Sequence, residues 1–265
     1  IAAKMWEIRK ENILFEGAQG AMLDIDSGTY PYVSSGASGS YGASSGSGIG
    51  PRALDKVYGV FKAYETRVGN GPMPTEFNAE SEGELCDYVR NTGNEFGVTT
   101  GRARRCGYLD LVALCYACHV NSIDSLVLTH LDVYDEMDEI EACVAYDIDG
   151  QIVTDFPTSI PALNKAKPVL QKFKGWKSSI KELKKYKQLP KAAKEYVDFI
   201  LDQCSGLSAR AMMGEYVLYY NGKVIGGVYD NRLLVKPTPS AKTLMPTAEY
   251  QLPYEGAKEM LLVED

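Results

Sequence analysis

The sequence predicts an α/β fold, in which a partial sheet with helices is followed by a small α+β domain with a three-stranded meander. The sheet is predicted by a helix at 109–122 that is apolar on most sides, a buried strand at 125–135 and a hairpin at 141–157. The smaller domain is predicted by a change in the pattern of predicted elements near residue 190, where a helix precedes several short strands. These strands lie at 215–220, 223–230 and 233–236.

Composition narrows the class of protein. The chain has 265 residues, 45% of them hydrophobic and 24% charged, which is enough apolar content for a packed core. A net charge of −7 argues against a nucleic-acid partner, because binding nucleic acid requires neutralising phosphates. No apolar run approaches the ~20 residues that span a bilayer, and no signal peptide is visible, so we expect a cytoplasmic protein without a membrane partner. The opening residues lack an initiator Met and resemble a helix in progress, which predicts a piece of a longer chain.

The first half of the chain alternates apolar with glycine-rich segments. Residues 13–20 are typical of a buried strand that ends in a turn. Residues 34–50 are almost entirely Gly and Ser and predict a flexible linker, although a loop whose amides contact a ligand has the same composition. A proline near the start and apolar residues at helical spacing predict a helix over 51–66. Gly93 ends a short helix over 83–93.

The second half carries turn and cap signals. Asp149 and Gly150 supply the turn of the hairpin. Residues 165–191 are rich in lysine; a basic patch for nucleic acid is one interpretation, but arginine is absent, which favours a solvated surface segment. In the tail, 192–203 predicts a helix. Asn221-Gly222 predicts a type I′ turn between the first two strands, and Ser240 predicts the cap of a short helix.

Two segments, at 115–119 and 132–141, contain residue types that ligate haem or metals, but their surroundings or spacing do not fit such sites. CYACH at 115–119 fits the Cys-x-x-Cys-His pattern of c-type haem attachment, but it lies inside the predicted buried helix, which favours cysteines that pack in a core. No second Cys/His pair has zinc-ligand spacing, and the acidic run 132–141 lacks calcium-loop spacing. We therefore expect no metal site, and we expect the six cysteines to be reduced.

The strongest local signal is VTTGRARRCG at 98–107. A solvated basic turn would explain it, but three arginines beside hydroxyl and glycine amide donors favour the binding of a carboxylate or phosphate. Asp132 follows the strand predicted at 125–135, and strand ends are where open α/β sheets bind ligands. A carboxylate at that point can accept two hydrogen bonds from guanine.

Several segments, in order and spacing over about residues 1–197, resemble adenylosuccinate synthetase. The segments are ILFEGAQGAMLDIDSGTYPYV (13–33), GSGIGPR (46–52), KAYETRVGNGPMPTE (62–76), EFGVTTGRARRCGYLDLVAL (95–114), NSIDSLVLTHLDV (121–133) and GW…YKQLPKAAKEYV (175–197). That family joins IMP to aspartate with GTP and Mg²⁺, through a 6-phosphoryl-IMP intermediate from which aspartate displaces the phosphate. The resemblance implies this ligase activity in purine biosynthesis, and it implies a dimer.

The resemblance also implies a set of site residues. They are Gln19, Ser34, Thr99, Thr100, Gly101, Arg102 and Arg104 for IMP and aspartate, and Arg104, His130 and Asp132 for GTP. Ser34, where the family usually has Thr, would reach the IMP phosphate. Arg102 would touch IMP and aspartate, and Arg104 would reach aspartate and the GTP side. Asp132 would read guanine.

The sequence departs from the family pattern in ways that matter for catalysis. The GDEGKGK-type phosphate loop, the catalytic aspartate, the histidine acid and the Mg²⁺ contacts have no counterpart among its motifs, and neither does the final guanine-binding segment. His130 stands where the family has the lysine of Thr-Lys-Leu-Asp, and 34–45 departs from a Thr-Ser-Ser-Asn run. We therefore expect no catalytic residue and no Mg²⁺ ligand here, and we predict that the isolated chain is inactive. Activity would need a complementing chain.

The tail resembles a different family, the amino-terminal domain of TfoX. KEYVDFILDQCSGL, ARAMMGEYVLYYNGKVIGGVYDNRLLVKPT and MPTAEYQLPYEGAKEML carry this resemblance. We accordingly place a synthetase-like partial domain at 1–190 and a TfoX-like domain at 191–265. The alternatives are a TfoX-like interaction module on a degenerate synthetase scaffold, and a chimera without joint function. A partial sheet would expose apolar faces and edges, so we also predict self-association.

Overall fold

The structure is a computed structural model that describes residues 1–98, 101–205, 207–212, 215–220, 223–229, 232–254 and 256–263. The chain divides into two compact units, Ile1–Tyr196 and Val197–Asp265. Parallel and antiparallel strands combine with helices, which confirms the predicted mixed α/β class. None of the helices among the described residues is both long and apolar enough to cross a membrane.

The first unit contains short strands interspersed with helices. Its helices are α1 (Ala2–Glu7), α2 (Tyr41–Ser47), α3 (Gly83–Thr92), α4 (Leu111–Asn121), α5 (Ile160–Lys165) and the start of α6 (Lys191–Ser205). Its strands are β1 (Tyr58–Lys62), β2 (Glu65–Arg67), β3 (Arg105–Gly107), β4 (Leu109–Asp110), β5 (Ser125–Thr129), β6 (Glu139–Ile148), β7 (Gln151–Val153) and β8 (Lys167–Lys174). The 3₁₀ helices are Ala21–Leu23, Pro51–Ala53, Leu131–Tyr134 and Tyr186–Gln188.

These strands form three small sheets. β1 pairs with β5 in parallel, β2 pairs with β3 antiparallel, and β6 is flanked by β4, β7 and β8. The core lies over β6, where Cys143 and Tyr146 are fully buried and Val112 of α4 packs against them. A second cluster joins aromatic rings edge to face around Tyr134, whose hydroxyl donates to the Ala63 carbonyl at 3.0 Å.

Three local predictions are confirmed. The buried helix is α4, and Asp110 caps it by accepting a hydrogen bond from the Ala113 amide at 3.0 Å. The hairpin is β6–β7, with Asp149 at φ 53° and Gly150 at φ 84°, as a type I′ turn requires. The short helix is α3, and Gly93 follows its last residue.

The helix predicted over 51–66 is wrong. The segment forms a 3₁₀ turn and then strands β1 and β2. The apolar spacing also fits a strand in which Tyr58 and Val60 share one face. Gly59 permits the close approach of Ile123, since an added Cβ would lie 2.5 Å from its Cδ1 atom.

The buried strand predicted over 13–20 is also wrong. No regular helix or strand forms there, and the Leu14 side chain is 88% exposed. The strand predicted at 125–135 ends earlier, at Thr129, and it is half-buried rather than buried. Asp132 consequently lies in the 3₁₀ helix that follows β5.

The flexible linker predicted over 34–50 is instead tied to the fold. The carboxylate of Asp24 is fully buried and accepts hydrogen bonds from the Ser38 amide at 2.6 Å and the Gly39 amide at 2.9 Å. The Ser40 amide donates to the Asn121 side chain at 2.7 Å. α2 follows directly, so distant polar partners order a segment whose composition alone indicates flexibility.

The lysine-rich segment is not simply a solvated surface segment. Its first part is β8, which pairs along β6. Trp176 is buried, and its indole N–H donates to Asp135 at 2.9 Å, while the same carboxylate accepts from the Ile180 amide at 3.0 Å. One buried carboxylate therefore anchors the middle of the segment.

The second unit is built on one antiparallel sheet in the order β13-β14-β12-β11-β10-β9. Its strands are β9 (Leu207–Met212), β10 (Glu215–Tyr220), β11 (Lys223–Tyr229), β12 (Arg232–Val235), β13 (Tyr250–Gln251) and β14 (Met260–Leu262). The three predicted strands correspond to β10, β11 and β12, but β9, β13 and β14 extend the meander to six strands. The cap of α7 (Pro239–Leu244) is Thr238 rather than the predicted Ser240. The predicted Asn221-Gly222 turn lies outside the described residues.

Candidate anion-binding site

We call residues 97–105 the arginine loop, and backbone hydrogen bonds join the described residues on its two sides. The Gly101 amide donates to the Gly97 carbonyl at 2.7 Å, and the Gly97 amide donates to the Arg102 carbonyl at 2.8 Å. Gly101 has φ 63°, a conformation in which glycine avoids strain. A bridge between Phe96 and Ala103 closes the base of the turn. The loop therefore projects Gly101 and Arg102, both exposed, from an ordered base.

Four arginines line a cleft of about 130 Å³ at this loop. Two of them, Arg102 and Arg104, are predicted site residues; the others are Arg67 and Arg105. Arg105 is held in a two-pronged pair with Glu76, in which Nε–Oε1 is 2.8 Å and Nη2–Oε2 is 2.5 Å. Pairing of this kind fixes Arg105 as a wall of the cleft, and it agrees with its omission from the predicted ligand contacts.

Arg67 was missed by reasoning from the sequence. It is buried, and its guanidinium donates to the Thr29 hydroxyl at 3.0 Å, the Tyr32 carbonyl at 2.9 Å and the Asn70 carbonyl at 3.1 Å. Among the described residues, no carboxylate forms an ion pair with it. Burial, together with the neighbouring Arg105, holds the pKa of Arg67 below its ordinary value. The available signal was an arginine followed closely by two glycines in RVGNG.

Glu95 lies behind the loop as a buried acceptor, 1% exposed. Its carboxylate accepts from Lys62 Nζ at 2.6 Å, from the Tyr64 hydroxyl at 2.6 Å and from Arg104 Nη1 at 2.7 Å. The Tyr64 hydroxyl also lies 3.3 Å from His130 Nδ1. We call Lys62, Tyr64, Glu95, Arg104 and His130 the Glu95 cluster.

The electrostatics of the cluster keep Glu95 ionised. Burial alone would raise the pKa of this carboxyl, but hydrogen bonds from Lys62, Tyr64 and Arg104, together with the charge of Lys62, hold it below its ordinary value. The pKa of the Tyr64 hydroxyl is well above its usual range, because it is buried and donates to the Glu95 carboxylate. Tyr64 is therefore a neutral hydroxyl between a carboxylate and an imidazole.

The structure brings some of the predicted residues together and leaves others apart. His130 adopts a left-handed conformation, φ 57°, at the end of β5, and the half-buried Asp132 follows it. No donor from the described part of the chain reaches the Asp132 carboxylate. Ser34 is half-buried, and its amide donates to the Leu23 carbonyl at 2.7 Å. Gln19 is exposed with φ 64°, outside the Glu95 cluster. Thr99 and Thr100 lie outside the described residues.

The described residues include all six cysteines and both histidines of the chain. Among them, no group of three or more His, Cys, Asp or Glu side chains is arranged to hold a metal ion. None of the six cysteines forms a disulfide bond in the structure. The CYACH motif lies in α4, where Cys118 is buried, which agrees with its interpretation as part of the core.

Residues 3–209 match the family model described as adenylosuccinate synthetase. The chain belongs to the adenylosuccinate synthetase family. An adenylosuccinate synthetase of Synechococcus sp. (strain CC9902) is 52% identical over 193 residues, which are 73% of this chain and 43% of that relative. The adenylosuccinate synthetase of Brachyspira hyodysenteriae (strain ATCC 49526 / WA1) is 47% identical over 188 residues, 71% of this chain and 43% of the relative.

A solved structure of the adenylosuccinate synthetase family has the same fold over the matched part. The structure of fully ligated adenylosuccinate synthetase from Plasmodium falciparum superposes with a TM-score of 0.72 at 40% identity. The match covers 77% of this chain and 49% of that chain. This chain therefore spans less than half the length of the curated relatives described above.

Proposed function

We propose that this chain supplies the IMP- and aspartate-binding part of an adenylosuccinate synthetase. The observation that carries the proposal is the cleft at the arginine loop, where Arg102 and Arg104 lie beside the buried Arg67. A phosphate and a dicarboxylate are the anions that planar guanidinium groups bind best, because each can be engaged by two parallel hydrogen bonds. The synthetase family to which the chain belongs acts on both kinds of anion.

The GTP side of the proposed site consists of His130 and Asp132. The Asp132 carboxylate fits guanine, since it is half-buried and no donor from the described residues reaches it, so it can accept from the base. Gln19 and Ser34 would complete the IMP contacts, and the Arg67 bonds to Thr29 and Tyr32 support the segment that leads to Ser34. Mg²⁺ would be held mainly by nucleotide phosphates and by family segments that have no counterpart among these motifs.

Binding is tested by calorimetry with IMP and aspartate on the whole chain. Replacing Arg102 with Gln should weaken aspartate binding by about 10- to 100-fold, because a hydrogen bond to a charged group contributes about 1.5–3 kcal/mol. Arg9→Gln is the matched control, since Arg9 is exposed and donates to the nearby Trp6 carbonyl, away from the cleft. The absence of heat at millimolar ligand would refute the binding proposal.

Catalysis, in this proposal, needs the rest of the family's fold. We expect no turnover from the chain alone, and turnover when a polypeptide carrying the phosphate-loop half of a synthetase is added. The assay is the formation of adenylosuccinate from IMP, aspartate and GTP with and without that polypeptide. Turnover by the purified chain alone would refute the predicted inactivity.

Self-association or pairing with a complementing chain is supported by the exposed β1–β5 sheet. Within the described residues this sheet has two strands, and Val60 is 70% exposed, Tyr58 57% and Val127 42%. An exposed apolar face between unpaired edges favours association. Light scattering should show a dimer or larger species, and Val60→Lys should reduce it. A single monomeric species at all concentrations would contradict this proposal.

The second candidate function belongs to the tail, which we propose is a TfoX-like interaction module over 191–265. It is supported by the resemblance of the tail sequence and by the compact unit Val197–Asp265 with its own sheet. Residues 191–265 expressed alone should unfold cooperatively, with a β-rich circular dichroism spectrum. An unfolded fragment would refute an independent module.

A further inference from the structure

Glu95 connects the two sides of the proposed site. One side is the arginine loop, represented by Arg104, and the other is the His130–Asp132 segment. We propose that Glu95 and Tyr64 are positioning residues that couple these sides, so that an anion bound at the arginine loop changes the environment of His130. The inference deepens the proposed function and rests on it.

The first step is the competition for Arg104. Its Nη1 donates to Glu95, whereas its Nε is buried and has no acceptor among the described residues. The guanidinium therefore has an unused donor on its other edge. An aspartate or phosphate bound at the loop engages that edge and draws positive charge away from Glu95, because a guanidinium shared by two anions interacts less with each.

The second step passes through Tyr64. Glu95 accepts from Lys62, Tyr64 and Arg104 in a site where it is 1% exposed, so water cannot replace a weakened partner. When Arg104 shifts toward the ligand, the carboxylate depends more on Tyr64 and Lys62. The Tyr64 hydroxyl, 3.3 Å from His130 Nδ1, then moves toward Glu95 and away from the imidazole.

The third step is the effect of the Tyr64 movement on the His130 imidazole. His130 is exposed and lies in a left-handed conformation immediately before the 3₁₀ helix that carries Asp132. Its ring contacts the Tyr64 ring edge to face at 6.0 Å. A change at Tyr64 therefore alters both the hydrogen bond and the packing of the imidazole. Aspartate bound at the arginine loop would thus change the environment of the His130–Asp132 segment, which is proposed to bind guanine.

The environment of His130 can be followed by NMR with little signal overlap, because the chain contains two histidines. His119 is exposed on α4 and serves as the internal reference for His130. Aspartate, and separately inorganic phosphate, is titrated into the whole chain while the imidazole Cε1–H signals are followed by NMR. We expect the His130 signal to shift along the calorimetric binding curve while the His119 signal stays in place.

Substitutions separate coupling from folding and from binding. Tyr64→Phe keeps the buried ring and removes the hydroxyl; we expect it to bind aspartate as before and to lose the ligand-dependent His130 shift. Arg104→Gln should move the His130 signal without ligand, and it should not do so in the Tyr64→Phe background. Arg9→Gln is the matched control, because Arg9 is exposed and donates to the Trp6 carbonyl, outside the cluster and the cleft. If Tyr64→Phe unfolds, Lys62→Gln tests the Glu95 step instead: losing this donor makes Glu95 depend more on Tyr64, so the His130 signal should move without ligand, and an unmoved signal would overturn the coupling.

The outcomes distinguish this inference from the proposed function. If aspartate and phosphate give no heat, the proposed function fails, and the Arg104→Gln variant still decides the coupling. If ligand binds but the His130 signal is unmoved, the coupling is overturned while the binding proposal stands. If Arg104→Gln moves His130 equally with and without the Tyr64 hydroxyl, the pathway through Tyr64 is overturned.

Discussion

Replacing Asp24 with Asn tests how the glycine- and serine-rich segment is ordered. One oxygen of Asp24 accepts from the Ser38 and Gly39 amides, and the other accepts from the Asp26 and Ser27 amides. Asparagine has one oxygen, so its NH₂ group must face one pair of these backbone donors. Neither pair can rotate away, because each amide is fixed by the chain.

The magnitude follows from the two amides left without an acceptor. Each buried, unsatisfied donor costs about 1–3 kcal/mol, so we expect Asp24→Asn to lower the free energy of unfolding by about 2–6 kcal/mol. Burial opposes ionisation of Asp24, but hydrogen bonds from Tyr41 and the backbone amides outweigh it and hold its pKa well below the usual range. Because the folded pKa is depressed, this stabilisation is present above the ordinary carboxyl pKa of about 3.9 and is lost as the pH falls through the folded value.

Urea unfolding between pH 3 and pH 8, followed by circular dichroism, measures this effect. The difference between wild type and Asp24→Asn should be constant from pH 5 to pH 8 and should narrow in acid. Asp26→Asn is the matched control: Asp26 is exposed, and its contribution to the cluster is its backbone amide. A loss below about 0.5 kcal/mol for Asp24→Asn, the range of ordinary surface substitutions, would refute the reasoning.

Two further predictions concern the core. Burial raises the pKa of Asp110 to about 6 despite its hydrogen bonds. Because the folded pKa is raised, the protonated carboxyl stabilises the fold fully below pH 4, and about 3 kcal/mol of the free energy of unfolding is lost as the pH rises through 6. Asp110→Asn keeps a cap but cannot ionise, so it should remove this loss from the stability measured by urea unfolding against pH; identical curves for the two proteins would contradict the prediction. Gly175→Ala should lower the free energy of unfolding by about 1–3 kcal/mol or more, because the added Cβ would lie 1.9 Å from the Met137 carbonyl oxygen. Gly83→Ala is the control, since its added Cβ meets nothing within 4 Å and should not destabilise the fold. Equal melting temperatures for the two variants would contradict the predicted clash at Gly175.

Predictions from sequence succeeded where neighbouring residues determine the conformation. The Asp149-Gly150 turn depends on the backbone preferences of two residues. The end of α3 was placed correctly at Gly93, although Gly93 has φ −79° and Asn94 after it takes the left-handed conformation at φ 53°. α4 was predictable because it is apolar around most of its surface. In each case the signal lies within the element itself.

The errors arose where a partner distant in the chain decides the conformation. The segment over 51–66 becomes strands because β5 provides a parallel partner for β1 and β3 an antiparallel partner for β2. The segment over 34–50 is ordered by Asp24 and Asn121. The site shows the same division. The arginine loop was visible as a motif, but Glu95 and Arg67 acquire their roles from Lys62 and Thr29, which are distant in the chain, and no local pattern encodes these contacts.

The parallel pairing of β1 with β5 has a consequence for the order of folding. The Val57 amide, just before β1, bonds to an Asp124 carboxylate 67 residues away, whereas β6 and β7 are joined by a two-residue turn. Closing the longer loop costs roughly 3 kcal/mol more in chain entropy, so β1 and β5 should pair after the β6–β7 hairpin. Pulsed hydrogen exchange during refolding should protect the β6 amides first. The strands that carry Lys62 and lead to His130 would then join after this hairpin, and the two sides of the proposed site would meet only once that longer loop has closed.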